Sequence, residues 1–268
     1  SSLLVPLILL PVEAISRRTS NFRLLELTDL NHHLLQMMLR KAPGTFQHSQ
    51  HVALLAQSAA EAIGANSLLT RVGAYFHDIG KIRKPEYFTE NQAGGDNPHD
   101  RLKPSLSASI VRSHVTDGRA LAEENALPDA VVDFIAQHHG TAGMNVFYHR
   151  ALEAAGEGDT VVKSEYQYPG PRPQSPETAI VMLADAVEAA TRSLEKPTTT
   201  KLEKSVRRII TDKFESGELD ECELTLKDLT TIADAFAHVL AAMYHTRNIE
   251  YPEADEIAEA ERRNKGER

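Results

Sequence analysis

The sequence predicts an all-α fold, and three observations carry that prediction. Apolar residues recur at helical spacing along most of the chain. Capping and breaking residues bracket those stretches, as at Ser175-Pro176-Glu177, where a cap, a first-turn proline and an acidic first turn follow one another. No period-2 pattern of useful length marks a strand, and no segment repeats. With 268 residues, 41% of them apolar, the chain can bury one large core.

Residues 1–12 are apolar but too short to span a bilayer, which takes about 20 residues, and they lack the basic start and cleavage site of a signal peptide. A core-packing arm and the cut end of a transmembrane helix both fit them. After a mixed, polar stretch from Arg17 to Thr28, a helix is expected over residues 31–40, closed by a break at Pro43-Gly44. The next starts near His48 and carries Val52, Leu55, Ala59 and Ile63 on the face that His48 shares, while His51 reads as packing. Residues 68–79 form a helix that ends in His77-Asp78 and is closed by Gly80, and Gly73 leaves room for another backbone or a ligand. Residues 83–104 read as a long irregular loop.

Ser105 can cap a helix whose Leu106, Ile110, Val111 and His114 face inward, with Gly118 at its exit and a short separate helix over residues 121–125. Pro128 and Asp129 open a helix through His139 that stops at Gly140. Residues 156–175 are irregular, either a surface excursion or a lid. The following helix carries Asp185 on a semi-apolar face, and a buried carboxylate needs a partner. A connector over residues 196–200 leads to helices over residues 201–214 and 228–245. In the second of these, Ile232, Phe236, Val239, Leu240 and Met243 either cover the core or pair with a second copy of the chain. The tail after Pro252 is charged and reads as frayed.

A single cysteine, Cys222, excludes an internal disulfide and a cysteine-rich zinc module, and fits a reducing compartment. The formal charge of -9 argues against polymeric nucleic acid as a partner, while leaving room for a locally positive pocket.

The inward-facing polar groups are His48, His77, Asp78, His114, His138, His139 and Asp185, spread over five helices. Each would cost on the order of 1–3 kcal/mol if buried without a partner. Adjacent His77 and Asp78 splay by roughly 100° on a helix, so both reach one site only with something between them. A metal ion is the economical candidate. One cation cannot use all seven groups, but two octahedral cations sharing Asp78 can. Imidazole-rich donors with few carboxylates suit iron, manganese, nickel or zinc better than calcium or magnesium. Two divalent cations against two carboxylates leave about two units of positive charge, an anion-binding pocket. Metal-assisted hydrolysis of a phosphate ester follows, with water activated by the cations as nucleophile. Lys81, one turn from Asp78, is placed either to hold a phosphate oxygen or to complete the helix C-terminus.

The ligand order His, His-Asp, His, His-His, Asp resembles that of the HD-domain metal-dependent phosphohydrolases. Asn31-His32, Ala42-Pro43-Gly44-Thr45-Phe46, His77-Asp78-Ile79-Gly80-Lys81, Gln137-His138-His139-Gly140-Thr141, Tyr168-Pro169-Gly170-Pro171 and the Tyr244 to Pro252 stretch look like the PgpH-type cyclic di-AMP phosphodiesterases, over about residues 1 to 252. The resemblance implies an HD-domain helical bundle with a dinuclear site for two divalent metal ions, manganese or iron, and hydrolysis of cyclic di-AMP to pApA. It also implies a seven-helix membrane region ahead of a cytoplasmic domain. On that basis residues 1–29 are the end of a transmembrane helix and a linker, 30–252 the phosphohydrolase domain, and 253–268 a charged tail. The expected location is the cytoplasmic side of the cell membrane.

Gly140-Thr141-Ala142-Gly143 stands where relatives acting on cyclic di-GMP carry Gly-Tyr-Pro, which favours adenine. His33 and Gln47 depart from the pattern, which has proline and histidine there; neither belongs to the ligand set, and His32-His33 reads as surface. Tyr148, Phe147 and Tyr168 are candidates to stack on a base, with core packing expected for at least one. Lys81, Arg172 and Lys103 are candidate phosphate contacts. The competing readings are a mononucleotide phosphohydrolase with a narrower pocket, an oxygenase using a mixed-valence iron pair on the same ligands, and a non-catalytic sensor of cyclic dinucleotide. A pure sensor has no need of the complete ligand set.

Overall fold

The computed structural model describes residues 19–247 apart from 93, 95, 157, 195 and 196. The expectations for residues 1–12 and for the tail after Pro252 lie outside the described residues. Among the described residues the fold is all-α, with no strand and one isolated antiparallel bridge between Gly143 and Gln167. The helices are α1 (Asn21–Leu27), α2 (His33–Lys41), α3 (Pro43–Ile63), α4 (Ser67–Phe76), α5 (Pro104–Glu124), α6 (Asp129–Gln137), α7 (Asn145–Ala154), α8 (Pro176–Arg192), α9 (Thr199–Glu215) and α10 (Leu226–Arg247). No helix among the described residues is long and apolar enough to cross a membrane.

Helix α3 lies at the centre, packed against α2, α4, α8 and α10. Val52, Leu55, Ala56, Ala59 and Ala60 on it are fully buried, and the three alanines let neighbouring backbones approach closely. Pro43-Gly44, expected as a break, instead opens this helix, with the proline at its first turn, where the missing N–H costs nothing. Gly64, at φ 76°, closes it in the left-handed conformation that glycine adopts without strain. The capping expected for α8 is present as a reciprocal box between Ser175 and Thr178. Ile232, Phe236 and Leu240 of α10 are buried in the core, so that helix covers it.

Helix α4 ends a residue short of His77, and Gly80 does not close it. A 3₁₀ turn over Ile79–Arg83 continues the chain. Helix α5 crosses this turn backbone to backbone. A Cβ on Gly80 would lie 1.8 Å from the carbonyl oxygen of His114 and 2.5 Å from the amide nitrogen of Gly118. Gly118 is therefore buried in mid-helix rather than marking an exit, and α5 runs on through residues 121–124 without a break. It also begins earlier than expected, with Lys103 at the cap and Pro104 in the first turn, not at Ser105. Gly73 makes room for the Phe134 ring of α6, not for a backbone or a ligand.

Two helices carried too little pattern to be expected. Helix α1 buries only Leu24 and Leu27, and α7 only Ala151, with Val146 and Leu152 of α7 left exposed. The 83–104 loop folds into 3₁₀ turns at Pro85–Tyr87, Thr89–Asn91 and Pro98–Arg101. It is tied to the start of α3, where Thr45 Oγ1 donates to Glu90 Oε1 at 3.0 Å and the Thr45 amide to Asn91 Oδ1 at 3.1 Å. Residues 158–160 and 162–165 run exposed over the surface, and the segment is then anchored by Tyr166 and Tyr168, buried in a second apolar cluster with Ala108, Val115, Met144 and Ala151. His32 is only partly exposed. It caps α2, and its ring meets Phe76 edge-on, while His33 is exposed and bonds Asn125.

Substituting Gly80→Ala pushes α5 off the turn and carries His114 with it. The expected loss is about 1–3 kcal/mol, the usual range for overpacking a core, read as a lower urea midpoint at unchanged slope. An unaltered midpoint would contradict the backbone contact.

Candidate metal centre

The seven candidate ligands converge from α3, the end of α4, α5, the end of α6, and α8. They form two groups that share Asp78: His48, His77, Asp78 and Asp185 in one, and Asp78, His114, His138 and His139 in the other. Within each group the donor atoms all lie within 4.8 Å of one another. The two oxygens of Asp78 divide between the groups. Oδ2 lies 3.6 Å from His48 Nε2 and 3.3 Å from His77 Nε2, and Oδ1 lies 3.4 Å from His114 Nε2 and 3.5 Å from His138 Nε2. Asp185 spans the remaining positions, with Oδ1 3.0 Å from His48 Nε2 and Oδ2 3.8 Å from His139 Nδ1.

Groups behind the imidazoles set their orientation. His77 Nδ1 donates to the Ala74 carbonyl at 2.7 Å, His114 Nδ1 to Val111 at 2.5 Å, and His138 Nδ1 to Phe134 and Ile135 at 3.0 and 3.1 Å. A carbonyl only accepts, so the proton sits on Nδ1 and the lone pair on Nε2 faces the centre. His48 is held by a carboxylate instead, with Nδ1 2.5 Å from Glu188 Oε2. Glu188 also faces His51 at 3.5 Å and Arg192 at 3.4 Å, so His51 does more than pack.

These side chains fit a pair of cations on their own geometry. His114 Nε2 and His138 Nε2 stand 3.3 Å apart. With both protons already committed to carbonyls, two lone pairs face each other, an arrangement that a shared cation relieves. Among the described residues, buried His48 Nε2, His77 Nε2 and Asp78 Oδ1 have no hydrogen-bond partner. Native interiors rarely leave such atoms orphaned.

The charges are arranged to match. Burial pushes His114 down to about 3, and burial together with His138 and His114 pushes His139 well down, so both rings are neutral donors. Burial alone would raise Asp78, but the Lys81 ammonium beside it outweighs that and holds its carboxyl well below the usual range. Glu188 is likewise opposed by burial, and its bonds to His48 and His51 bring it down to about 2. Both carboxylates stay ionised across the physiological range.

Other residues singled out from sequence fall into distinct places. Lys81 is close, with Nζ 2.6 Å from Asp78 Oδ2, 2.9 Å from Glu90 Oε1, and 4.9 Å above the Phe88 ring. The Tyr168 ring stacks on His139 at 4.2 Å and meets His114 edge-on at 6.0 Å, so it walls the cluster. Tyr148 turns away and packs on Tyr166, 5.7 Å between ring centres; its neighbour Phe147 borders the adjoining cavity instead. Arg172 reaches Thr141 Oγ1 at 3.5 Å, but its guanidinium faces Asp220 and Glu221 at 3.8 and 4.0 Å. Lys103 is exposed at the cap of α5, eleven residues before His114 and therefore about 16 Å away along the helix axis. Sequence reasoning missed Glu188 and Glu90. The signal for Glu188 was its place three residues after Asp185, on the same face of α8; Glu90 sits in irregular chain and left none.

Replacing Asp78 with alanine removes the one carboxylate common to both groups. Metal per chain, measured by elemental analysis after dialysis, is expected to fall from about two to near zero, and a variant keeping one firmly bound ion would contradict the shared role. Glu188→Ala frees the His48 ring, and the expected loss in metal affinity is roughly 10–100-fold with the fold intact, checked by competition against a chelating dye.

Comparison with known proteins agrees with this arrangement. The family model described as HD domain matches residues 45–190. The cyclic-di-AMP phosphodiesterase PgpH of Bacillus subtilis is 50% identical over 88% of this chain, which spans 32% of that relative's length. PgpH of Listeria monocytogenes is 46% identical over 86% of this chain and 32% of its own. The chain thus covers about a third of the curated relatives it matches. The crystal structure of the L. monocytogenes PgpH HD domain in complex with cyclic-di-AMP superposes with a TM-score of 0.77 at 45% identity, over 81% of this chain and 100% of that one. The same domain in a second crystal structure gives 0.76 at 46% identity, over 80% of this chain and again all of that one. With more than half its length inside the family model and the whole of a relative's HD domain matched, the chain belongs to the HD domain family.

Proposed function

We propose that this chain is a dinuclear-metal phosphodiesterase domain that hydrolyses cyclic di-AMP to pApA. The observation that carries the reading is the division of the Asp78 oxygens between two ligand groups at 3.3–3.6 Å, which builds one site for two cations. The names of the relatives and the cyclic-di-AMP complex of a neighbour supply the substrate. When bound, two divalent cations, manganese or iron, supply an acidified water and Lewis-acid neutralisation of phosphate charge.

The protein's own groups do the rest. His48, His77, His114, His138, His139, Asp78 and Asp185 hold the cations, and two carboxylates against two divalent cations leave the net charge of the site positive. Lys81 is the candidate contact for a phosphate oxygen. Its ammonium is held in place by Glu90 and Asp78, and burial, which would lower it, is outweighed by those two carboxylates. Tyr168 covers the His139 ring and excludes water from that side. Phe88 and Phe147 offer aromatic surface beside the cluster. Lys81 stands 2.6 Å from Asp78, whereas Arg172 meets Thr141, Asp220 and Glu221 and Lys103 lies far along α5, which leaves Lys81 as the phosphate contact we favour.

In the whole protein we place this domain on the cytoplasmic side of a cell membrane, joined through residues 1–29 to a membrane region that precedes it, with residues 30–252 as the enzyme and 253–268 as a tail. Pairing of two copies would use the surface of α10 away from its buried Ile232, Phe236 and Leu240.

Incubating manganese-loaded protein with cyclic di-AMP, cyclic di-GMP and a deoxynucleoside triphosphate, then separating the products, tests the assignment. Cyclic di-AMP is expected to be converted to pApA, with activity lost on chelation and restored by manganese. Consumption of the triphosphate alone would favour the mononucleotide reading, and tight binding without product would favour a sensor.

A further inference from the structure

Four of the five candidate imidazole ligands are held from behind, His77, His114 and His138 by carbonyls and His48 by Glu188. His139 is the exception. Among the described residues no group makes a hydrogen bond to its ring, which packs on Tyr168 at 4.2 Å and on His138 at 4.0 Å between centres. Stacked rings slide over one another at little cost, so the placement of this ligand falls to the backbone that carries it.

That backbone is a tight turn closed by the Gly140 amide donating to the Gln137 carbonyl at 2.9 Å and the Ala142 amide to the His139 carbonyl at 3.0 Å. Glu218, 77 residues beyond Thr141 and just past the end of α9, clasps the turn from outside. Its Oε2 accepts from the Thr141 amide at 2.9 Å, and its Oε1 accepts from the Thr141 hydroxyl at 2.7 Å. The carboxylate lies so closely on Gly140 that a Cβ there would overlap Oε2. Glu218 is only 3% exposed. A carboxylate withdrawn from water to that degree is costly unless its oxygens are bonded, and here both are bonded by one residue, two positions after His139.

We propose that Glu218 is a positioning residue for the metal centre: by clasping Thr141 it fixes the turn after α6 and so sets His139 as a ligand beside Asp78, His114 and His138. This role rests on the dinuclear phosphodiesterase reading above. The clasp acts on one ligand group only. His48, His77 and Asp185 belong to α3, the end of α4 and α8, which the turn does not carry. Loss of the clasp therefore weakens one cation and spares the other, a selectivity that a general loss of stability does not produce.

The test measures the two manganese affinities of the full chain by competition against a chelating dye. In Glu218→Ala one affinity is expected to fall roughly 10–100-fold, the usual effect of removing a group that orients a ligand, while the other stays as in the unmodified chain. Glu218→Gln keeps an acceptor for the Thr141 amide and a donor for its hydroxyl oxygen, and is expected to retain both affinities. Against a His139→Ala background, Glu218→Ala is expected to weaken neither ion further, because both changes act through the same imidazole. Turnover of cyclic di-AMP by Glu218→Ala is expected to need more manganese and to regain its kcat in excess, with KM unchanged. Tm reports folding; should Glu218→Ala not fold, Thr141→Val removes only the hydroxyl half of the clasp and is expected to weaken the same single ion by less. Equal weakening of both ions, unchanged affinities in a folded Glu218→Ala, a Glu218→Gln as weak as the alanine variant, or further weakening in the His139→Ala background each overturns the proposal. Failure of the underlying reading looks different: the unmodified chain binds two manganese ions but makes no pApA, and the affinities still decide the role of Glu218.

Discussion

The structure is organised around one buried carboxylate. Asp78 is almost fully enclosed, ionised, and faced on both oxygens by imidazoles whose lone pairs point at it. Such an assembly has no favourable state without positive charge between its members. Lys81 provides part of that charge and cations can provide the rest. Helices α3, α5 and α8 and the residues just past the ends of α4 and α6 each lend at least one side chain to this point, so the packing of the bundle and the geometry of the site are a single constraint.

Simple local devices hold the ligands in register. His77 and His138 sit just past the ends of α4 and α6, and their Nδ1–H groups donate to carbonyls of the last turn, those of Ala74 and Ile135. A helix end is thereby satisfied and a tautomer chosen in the same contact. His114 lies in mid-helix, and its position depends on how near α5 comes to the turn after Asp78. That approach exists because Gly80 and Gly118 meet without side chains. Glu188 does for His48 what carbonyls do for His77, His114 and His138, and adds a negative charge behind the ring.

The second apolar cluster, around Tyr166, Tyr168 and α7, has a different task. It brings Tyr168 onto His139 and walls a recess that opens beside the cluster. Irregular chain at 83–104 and 156–175 supplies Phe88, Glu90 and Tyr168 around the ligands, whereas the ligands themselves stand on helices or at helix ends. This division matches a rigid reactive centre with adaptable surroundings.

Read by itself, the sequence determined the all-α class, the start of α8 and the seven candidate ligands. Each of these is a local signal: a period of 3.6, a cap, or a polar side chain on an apolar face. It misplaced the roles of Gly73, Gly80 and Gly118, divided α5, and passed over α1, α7 and Glu188. It also offered Tyr148, Arg172 and Lys103 on chemistry alone. Those matters were decided only in three dimensions, because a glycine's use depends on which backbone arrives opposite it, and an aromatic or cationic side chain contributes to a site only where its own helix turns it toward that site. Phe147 and Tyr148 are neighbours in the chain with equal propensity to stack, yet α7 sends one to the recess and the other to Tyr166.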